Sequence, residues 1–163
     1  MSDKNKNVEK KIARDIKYRA LLEFKYSAGK HASYFFQQLR DNKKLMASKC
    51  PKCEKAYVPP RPACPECFEA NSEWIEAGPQ GTLVGFTVVE FPFLDPTTGK
   101  TKEVPYGYGF IILDGTATKF AHFLDETDLN KLEAGMRVEP IFEEERSGNF
   151  ADIKYFRKIA DSE

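Results

Sequence analysis

The sequence is poor in the residues that catalysis most often uses. It has two histidines and one tryptophan, and its four cysteines all fall between Cys50 and Cys67. Neither of the common glycine-rich phosphate loops, GxGxxG or GxxxxGK[ST], is present. His122 lies in the middle of an apolar, strand-like run, where a lone histidine is more often a core residue than a base. We therefore expect no self-sufficient active site and no catalytic residue of the chain's own.

Long hydrophobic runs are also missing. No apolar run approaches the roughly 20 residues that span a bilayer, and the N-terminus lacks the apolar centre of a signal peptide. Hydrophobic residues are 41% and aromatic residues 13% of the 163 residues, which is enough for a real core and excludes a wholly disordered chain. We expect a cytoplasmic protein without a membrane segment.

The zero net charge hides an asymmetry along the chain. Thirteen Lys/Arg and five Asp/Glu precede Cys50, whereas twelve Lys/Arg and twenty Asp/Glu make up the remainder. A basic N-terminal arm therefore precedes an acidic body. Such arms often contact nucleic acid, phosphorylated ligands or an acidic partner, or they partly neutralise their own domain.

The arm carries a helical pattern. Apolar residues recur every fourth position from Val8 to Phe24, and Gly29 is a plausible end for this helix. A second helix, with Ser33 as a possible cap, is predicted to end at Asp41–Asn42. These helices either fold back on their own domain or dock on a partner, and we favour docking. The expected partner-binding residues are Ile12, Ile16, Phe35, Phe36 and Leu39.

The cysteines form two tight pairs with a spacing typical of a metal site. Cys50 and Cys53 are separated by ten residues from Cys64 and Cys67. Disulfides are rare in the cytosol, whereas two CxxC pairs can close a tetrahedral site around zinc. A rubredoxin-like iron site is the alternative. Four thiolates leave no open coordination position, so we predict one structural zinc ion without which so short a ribbon could hardly fold.

Beyond the cysteines, β-branched and aromatic runs alternate with turns. Five strands are predicted, starting near Thr82, Pro105, Thr116, Met136 and Phe150. A short helix from Thr127 to Glu133, capped by Asp125 or Thr127, separates the third strand from the fourth. This order is typical of an OB-type barrel. The fold class is therefore mainly β with N-terminal helices: a helical arm (1–45), a zinc ribbon (46–75), a five-stranded OB-fold domain (76–158) and a tail (159–163).

Nucleic-acid binding is the obvious hypothesis for a zinc ribbon on an OB barrel, but the charge argues against it. From Gly78 onward the chain has nine Lys/Arg and fifteen Asp/Glu. A groove that follows phosphates must be positive and should place Arg or Lys between its aromatic residues. We therefore keep nucleic-acid binding as a third hypothesis, after the two given below.

Several stretches together resemble a known family. They are Tyr34–Leu39, Pro60–Cys67, Gly81–Thr87, Val104–Tyr106 and Ala134–Val138. In this order they resemble the family that joins a rubredoxin-like zinc ribbon to an acyl-CoA-associated OB fold, long catalogued as a domain of unknown function. The resemblance covers about Ser33 to Arg157. Glu54 is a departure, since the first knuckle often has glycine there, but the departure leaves the four ligands intact.

The resemblance implies a role in a complex. Members look like non-catalytic partners of thiolase-fold enzymes that hold or shield a coenzyme A thioester near the partner's active site. Stand-alone members with long N-terminal helices resemble small subunits of thiolases in anaerobic aromatic degradation, including the type that cleaves benzoylsuccinyl-CoA. The resemblance therefore implies an accessory subunit that an acyltransferase requires.

A stand-alone acyl-CoA carrier or sensor is the second hypothesis. In either case Arg61, with Lys52, Lys55 or the basic arm, could meet the phosphates of coenzyme A. The aromatic residues Phe93, Tyr106 and Tyr108 could flank its apolar part. These choices follow from composition and position along the chain.

Overall fold

The computed structural model describes residues 26–92, 94 and 99–160. It contains one α-helix, α1, at Gly29–Asn42. The eight strands, numbered β1 to β8 in chain order, are Leu45–Lys49, Ala56–Tyr57, Glu73–Ala77, Gly81–Val89, Tyr106–Leu113, Lys119–Leu124, Arg137–Phe142 and Ile153–Lys158. Two short 3₁₀ helices lie at Leu129–Lys131 and Phe150–Asp152. The mainly β fold class is confirmed, while the first predicted helix falls outside the described residues.

Helix α1 starts earlier than the sequence suggested. The Ser27 hydroxyl, and not that of Ser33, accepts a hydrogen bond from the first helical N–H, that of Gly29 (3.2 Å). Gly29 therefore opens a helix, although it was expected to end one. The end at Asn42 matches the prediction, and Lys43 closes the helix with a left-handed backbone (φ 57°).

The ribbon is built on a three-stranded antiparallel sheet with the order β2–β1–β3. Strand β1 lies in the centre and pairs along its whole length with β3, from Leu45 opposite Ala77 to Lys49 opposite Glu73. Four of its five residues are buried. Helix α1 packs on this strand, so the sheet has helix on one side and contributes its apolar residues to the main core.

The second unit is a closed five-stranded barrel with the order β4–β5–β6–β8–β7, in which β4 also pairs with β7. This is the predicted OB topology. Inward-facing Gly109 allows closure, because a Cβ there would lie 2.6 Å from the Leu83 side chain. Leu83, Ile111 and Phe156 fill the interior and are almost fully buried.

Two details of the barrel differ from the prediction. The helix expected over Thr127–Glu133 is a single 3₁₀ turn, and its cap is Asp128, whose carboxylate accepts from the Asn130 N–H (3.0 Å). The last strand starts at Ile153, because Phe150–Asp152 forms a second 3₁₀ turn. Asn149 caps that turn by accepting from the Ala151 N–H (2.7 Å).

Three hydrogen bonds, two of them made by a side-chain hydroxyl, join the ribbon to the barrel. The N–H of Ala117 donates to the carbonyl of Ala56 (2.8 Å). The Thr118 hydroxyl accepts from the N–H of Val58 (2.9 Å) and donates to its carbonyl (2.8 Å). The segment after β2 is thereby fixed to the start of β6.

Candidate metal centre and predicted ligand residues

The four cysteines meet at one point. The sulfur atoms of Cys50, Cys53, Cys64 and Cys67 all lie within 4.8 Å of one another. Cys53 and Cys64 are 3.7 Å apart, Sγ to Sγ. Zinc–thiolate bonds of about 2.3 Å give a tetrahedron with edges of about 3.8 Å. The donor set and its spacing therefore fit a tetrahedral metal ion of the zinc type.

Two similar backbone loops position these sulfurs. In the first loop the N–H of Glu54 donates to the carbonyl of Cys50 (3.0 Å), and in the second the N–H of Phe68 donates to that of Cys64 (3.0 Å). Glu54 and Phe68 both have left-handed backbones, with φ of 60° and 58°. Glycine is favoured in this conformation because it has no Cβ. Glu54 adopts it nevertheless, so the departure from glycine leaves the loop intact.

Hydrogen-bonding groups surround the sulfur of Cys64. Its sulfur lies 3.2 Å from the Tyr57 hydroxyl and accepts from the N–H of Cys67 (3.4 Å). Burial raises the pKa of the Cys64 thiol, but hydrogen bonds from Tyr57 and the Cys67 N–H outweigh burial and lower it to about 6. The same hydrogen bond raises the pKa of Tyr57. At Cys64 these hydrogen bonds therefore favour the thiolate, the form that binds metal, whereas the hydrogen bond with Cys53 raises the pKa of Cys67 to about 12.

A buried polar network holds the ribbon loops beneath the metal site. The Ser48 hydroxyl accepts from the N–H of Arg61 (2.8 Å) and donates to its carbonyl (2.9 Å). The Asn71 side chain donates to the same carbonyl (3.0 Å). Sequence analysis missed Ser48, Asn71 and Tyr57. For Tyr57, the one available signal was its position in the sequence between the two cysteine pairs, which suggests that it lies near the metal site.

The residues predicted to hold coenzyme A are not all brought together. Tyr106 and Tyr108 both make edge-to-face contacts with Phe123, at 5.6 and 5.3 Å between ring centroids. Arg61 lies instead in the ribbon, with its guanidinium 5.9 Å from the centre of the Tyr57 ring. Phe93 is outside the described residues.

The predicted partner-binding residues fall into three groups. Phe35 and Leu39 are 1% and 0% exposed in the chain's own core, so their burial contradicts the expected docking role. An apolar stripe on a helix indicates that one face is buried, but it does not identify the element that covers that face. In this structure β1 and the second 3₁₀ turn cover the apolar face of α1. Phe36 is partly buried against Phe150, with 5.0 Å between ring centroids. Ile12 and Ile16 lie outside the described residues.

His122 is buried inside the barrel wall. Its Nε2 lies 3.1 Å from the carbonyl oxygen of Phe150, which requires the proton on Nε2. Its Nδ1 has no hydrogen-bond partner among the described residues. Burial lowers the pKa of His122, which keeps the ring neutral.

The described part of the chain has no helix with the length and apolarity of a membrane span.

Comparisons with known proteins agree with this architecture. The rubredoxin-like zinc ribbon domain of ChsH2 matches residues 38–73, and the C-terminal OB-fold domain of ChsH2 matches residues 74–143. No curated protein matches the sequence.

Two solved structures show the same fold. One is titled "Ltp2-ChsH2(DUF35) aldolase", with a TM-score of 0.60 and 21% identity over 82% of this chain and 98% of that one. The other is a protein of unknown function from the DUF35 family of Sulfolobus solfataricus. It has a TM-score of 0.54 and 20% identity over 78% of this chain and 83% of that one. At these identities the likeness concerns the fold.

Proposed function

Since the chain belongs to the ChsH2 family, in which a rubredoxin-like zinc ribbon precedes an OB-fold domain, we propose that it is a non-catalytic accessory subunit of a thiolase-fold enzyme acting on acyl-CoA. The observation that carries this proposal is the tandem of ribbon and OB fold with every cysteine assigned to the metal site. The subunit would be stabilised by one structural zinc ion. Its compartment would be the cytoplasm, where thiols stay reduced.

The cysteine and histidine side chains favour an accessory role over a catalytic one. Four thiolates around one ion leave neither a free nucleophile nor an open position for water. The ring of His122 is neutral, buried and hydrogen-bonded to a carbonyl. In the proposed complex, the partner therefore supplies the nucleophile and the base.

Exposed apolar residues on the barrel support a protein partner. Phe91 and Leu94, before β5, are 68% and 62% exposed, and Phe110 on the outer face of β5 is 49% exposed. Large apolar groups of this kind are typical of interaction surfaces when they lie together. We propose that these residues, with Ile12, Ile16 and Phe36, contact the partner.

The partner's reaction can be stated at two levels. The solved neighbour is titled an aldolase, and thiolases transfer acyl groups. An aldolase and a thiolase both form or break the bond between the α and β carbons of a carbonyl compound. Within this class we propose a thiolase of anaerobic aromatic degradation that cleaves benzoylsuccinyl-CoA, for which the resemblance of the sequence is the support.

The proposed role toward the substrate is to hold or shield the thioester. Arg61 is exposed, and we propose that its guanidinium meets the phosphate groups. Tyr106 and Tyr108 are half-buried around Phe123 and offer an aromatic surface to an apolar chain. Phe93 completes the proposed set.

Co-expression with a thiolase-fold protein from the neighbouring genes tests the proposal. We expect a stable complex that turns over an acyl-CoA only when both chains are present. Phe110→Asp should weaken the complex, whereas Leu129→Asp, at an equally exposed residue (54%) in the first 3₁₀ turn, should not. Turnover by this chain alone would contradict the proposal. Assays with benzoylsuccinyl-CoA and an aldol substrate separate the two reactions.

A further inference from the structure

A cleft of about 660 Å³ opens where two barrel strands separate. Strands β6 and β8 pair through one residue pair, Leu124 with Phe156. Toward the start of both strands, the second 3₁₀ turn and Pro59 of the ribbon segment border the gap. The volume is in the range of small-molecule sites, which are mostly apolar with a few polar groups.

The cleft combines apolar walls with positive charge. Tyr108, Phe120, Phe123 and Phe150 form its aromatic lining. Three lysines, Lys102, Lys119 and Lys154, also line it, against a single carboxylate, Glu143. This concentration of cations is notable because the chain from Gly78 onward has nine Lys/Arg and fifteen Asp/Glu.

These lysines are not neutralised by the described part of the chain. None of them takes part in an ion pair there. The ammonium nitrogen of Lys102 lies 3.9 Å from the centre of the Phe123 ring, so a cation–π contact fixes it over an aromatic wall. A positive cleft with low-dielectric walls attracts anions.

His122 is a second, independent indication of a ligand. It lines the cleft and is 5% exposed, and its Nδ1 has no hydrogen-bond partner in the part of the chain that the structure describes. Burial and the nearby charge of Lys102 both lower its pKa. A negative charge in the cleft would offset the repulsion between Lys102 and a protonated His122. A bound anion would therefore raise the pKa of His122 and favour protonation of its Nδ1.

We propose that this cleft binds an amphipathic organic anion, with its apolar part against Phe120, Phe123 and Phe150 and its carboxylate or phosphate near Lys102, Lys119 and Lys154. With a coenzyme A ester as the anion, this inference rests on the proposed function, because Tyr108 and Phe123 belong to both sites; with a free acid it stands apart from that function, since the described lining requires no partner. The anion is either a free acid or the phosphate-bearing part of a coenzyme A ester.

Nuclear magnetic resonance of the histidine side chains tests the inference. The zinc-loaded full chain is titrated with phenylbutyrate, with its neutral amide phenylbutyramide, and with coenzyme A. We expect saturable shifts of the His122 ring and a raised pKa for it with at least one anion. His31, the second histidine, contacts Trp74 (5.1 Å between ring centroids) and does not line the cleft, so its signals should stay unchanged.

Matched charge variants complete the test. Lys119→Gln/Lys154→Gln should weaken anion binding by about tenfold, the loss expected for two exposed ion pairs. Lys44→Gln/Lys131→Gln removes the same charge outside the cleft and should leave affinity unchanged. Saturation by phenylbutyrate assigns the cleft to a free acid, and saturation by coenzyme A alone assigns it to the nucleotide phosphates. The inference is overturned if neither anion shifts His122, if the amide binds as tightly, or if the control variant loses as much affinity.

Discussion

The two cysteine loops around the metal site (the metal loops, at Cys50–Glu54 and Cys64–Phe68) and the barrel differ in the residues that they bury. Inside the barrel, Leu83, Ile111, Leu113 and Phe156 are all fully buried apolar residues. Around the metal site, Cys50, Tyr57 and Cys64 form a separate buried cluster of three residues. Apolar burial can stabilise the barrel, whereas the loops depend on the metal and on buried hydrogen bonds.

This contrast explains where the reactive groups of the chain lie. All four sulfurs lie at the metal site, and a metal ion bound there would leave none of them free to act as a nucleophile. The barrel interior is instead filled by apolar side chains. Four substitutions test this division.

Cys50→Ser should have the largest effect. A structural zinc site contributes about 10 kcal/mol or more of binding free energy, so loss of one thiolate should release the metal and unfold both loops. Elemental analysis and amide hydrogen exchange check this. Exchange should become fast in residues 50–70 and stay slow in β5 and β6. Retention of one zinc per chain would contradict the assignment.

Phe156→Ala should destabilise the barrel without removing the metal. Its side chain is 0% exposed, and a Phe→Ala change in a core costs about 3–5 kcal/mol. Urea unfolding should show this loss, and the folded variant should keep its zinc. Phe91→Ala, at a residue that is 68% exposed, is the control and should change the free energy of unfolding by less than about 0.5 kcal/mol.

Ser48→Ala should have an intermediate effect confined to the ribbon. It leaves the partly buried N–H of Arg61 without its side-chain partner, which costs about 1–3 kcal/mol. Trp74, the only tryptophan, lies opposite Ser48 in the paired strand, so its fluorescence reports the change. Ser72→Ala, at an exposed residue, should be neutral, and equal losses in the two variants would exclude a role for the network.

Glu54→Gly should have the smallest effect and the opposite sign. A left-handed backbone costs a residue with a Cβ about 1 kcal/mol, and glycine avoids this cost. Glycine also loses more conformational entropy on folding, which reduces the gain in the free energy of unfolding by about half. We expect a slightly higher midpoint for metal-linked unfolding. Glu69→Gly, at a residue without positive φ, should be destabilising. A loss of stability in Glu54→Gly would show that its backbone is unstrained.

Features that depend on local sequence signals were predictable, whereas features that depend on tertiary contacts were not. The four cysteines and the strand order were predictable, because ligand spacing and turn residues act locally, and the family and fold are confirmed. The packing partner of α1 was not predictable. The helical periodicity indicates that Phe35 and Leu39 are buried, but it does not identify the residues that they contact. The start of β8 was missed because the 3₁₀ turn at Phe150 depends on the cap from Asn149.

The pairing of β1 with β3 has a consequence for the architecture as a whole. Lys49 and Glu73 face each other across the pair, so the chain leaves for the metal loops and returns at almost the same place. Residues 50–72 are therefore an insertion between two strands that already pair with each other, and the insertion is tied to the barrel at Ala56 and Val58. A single break of the chain within the insertion would leave both new ends anchored, one through β1 and the other through β3.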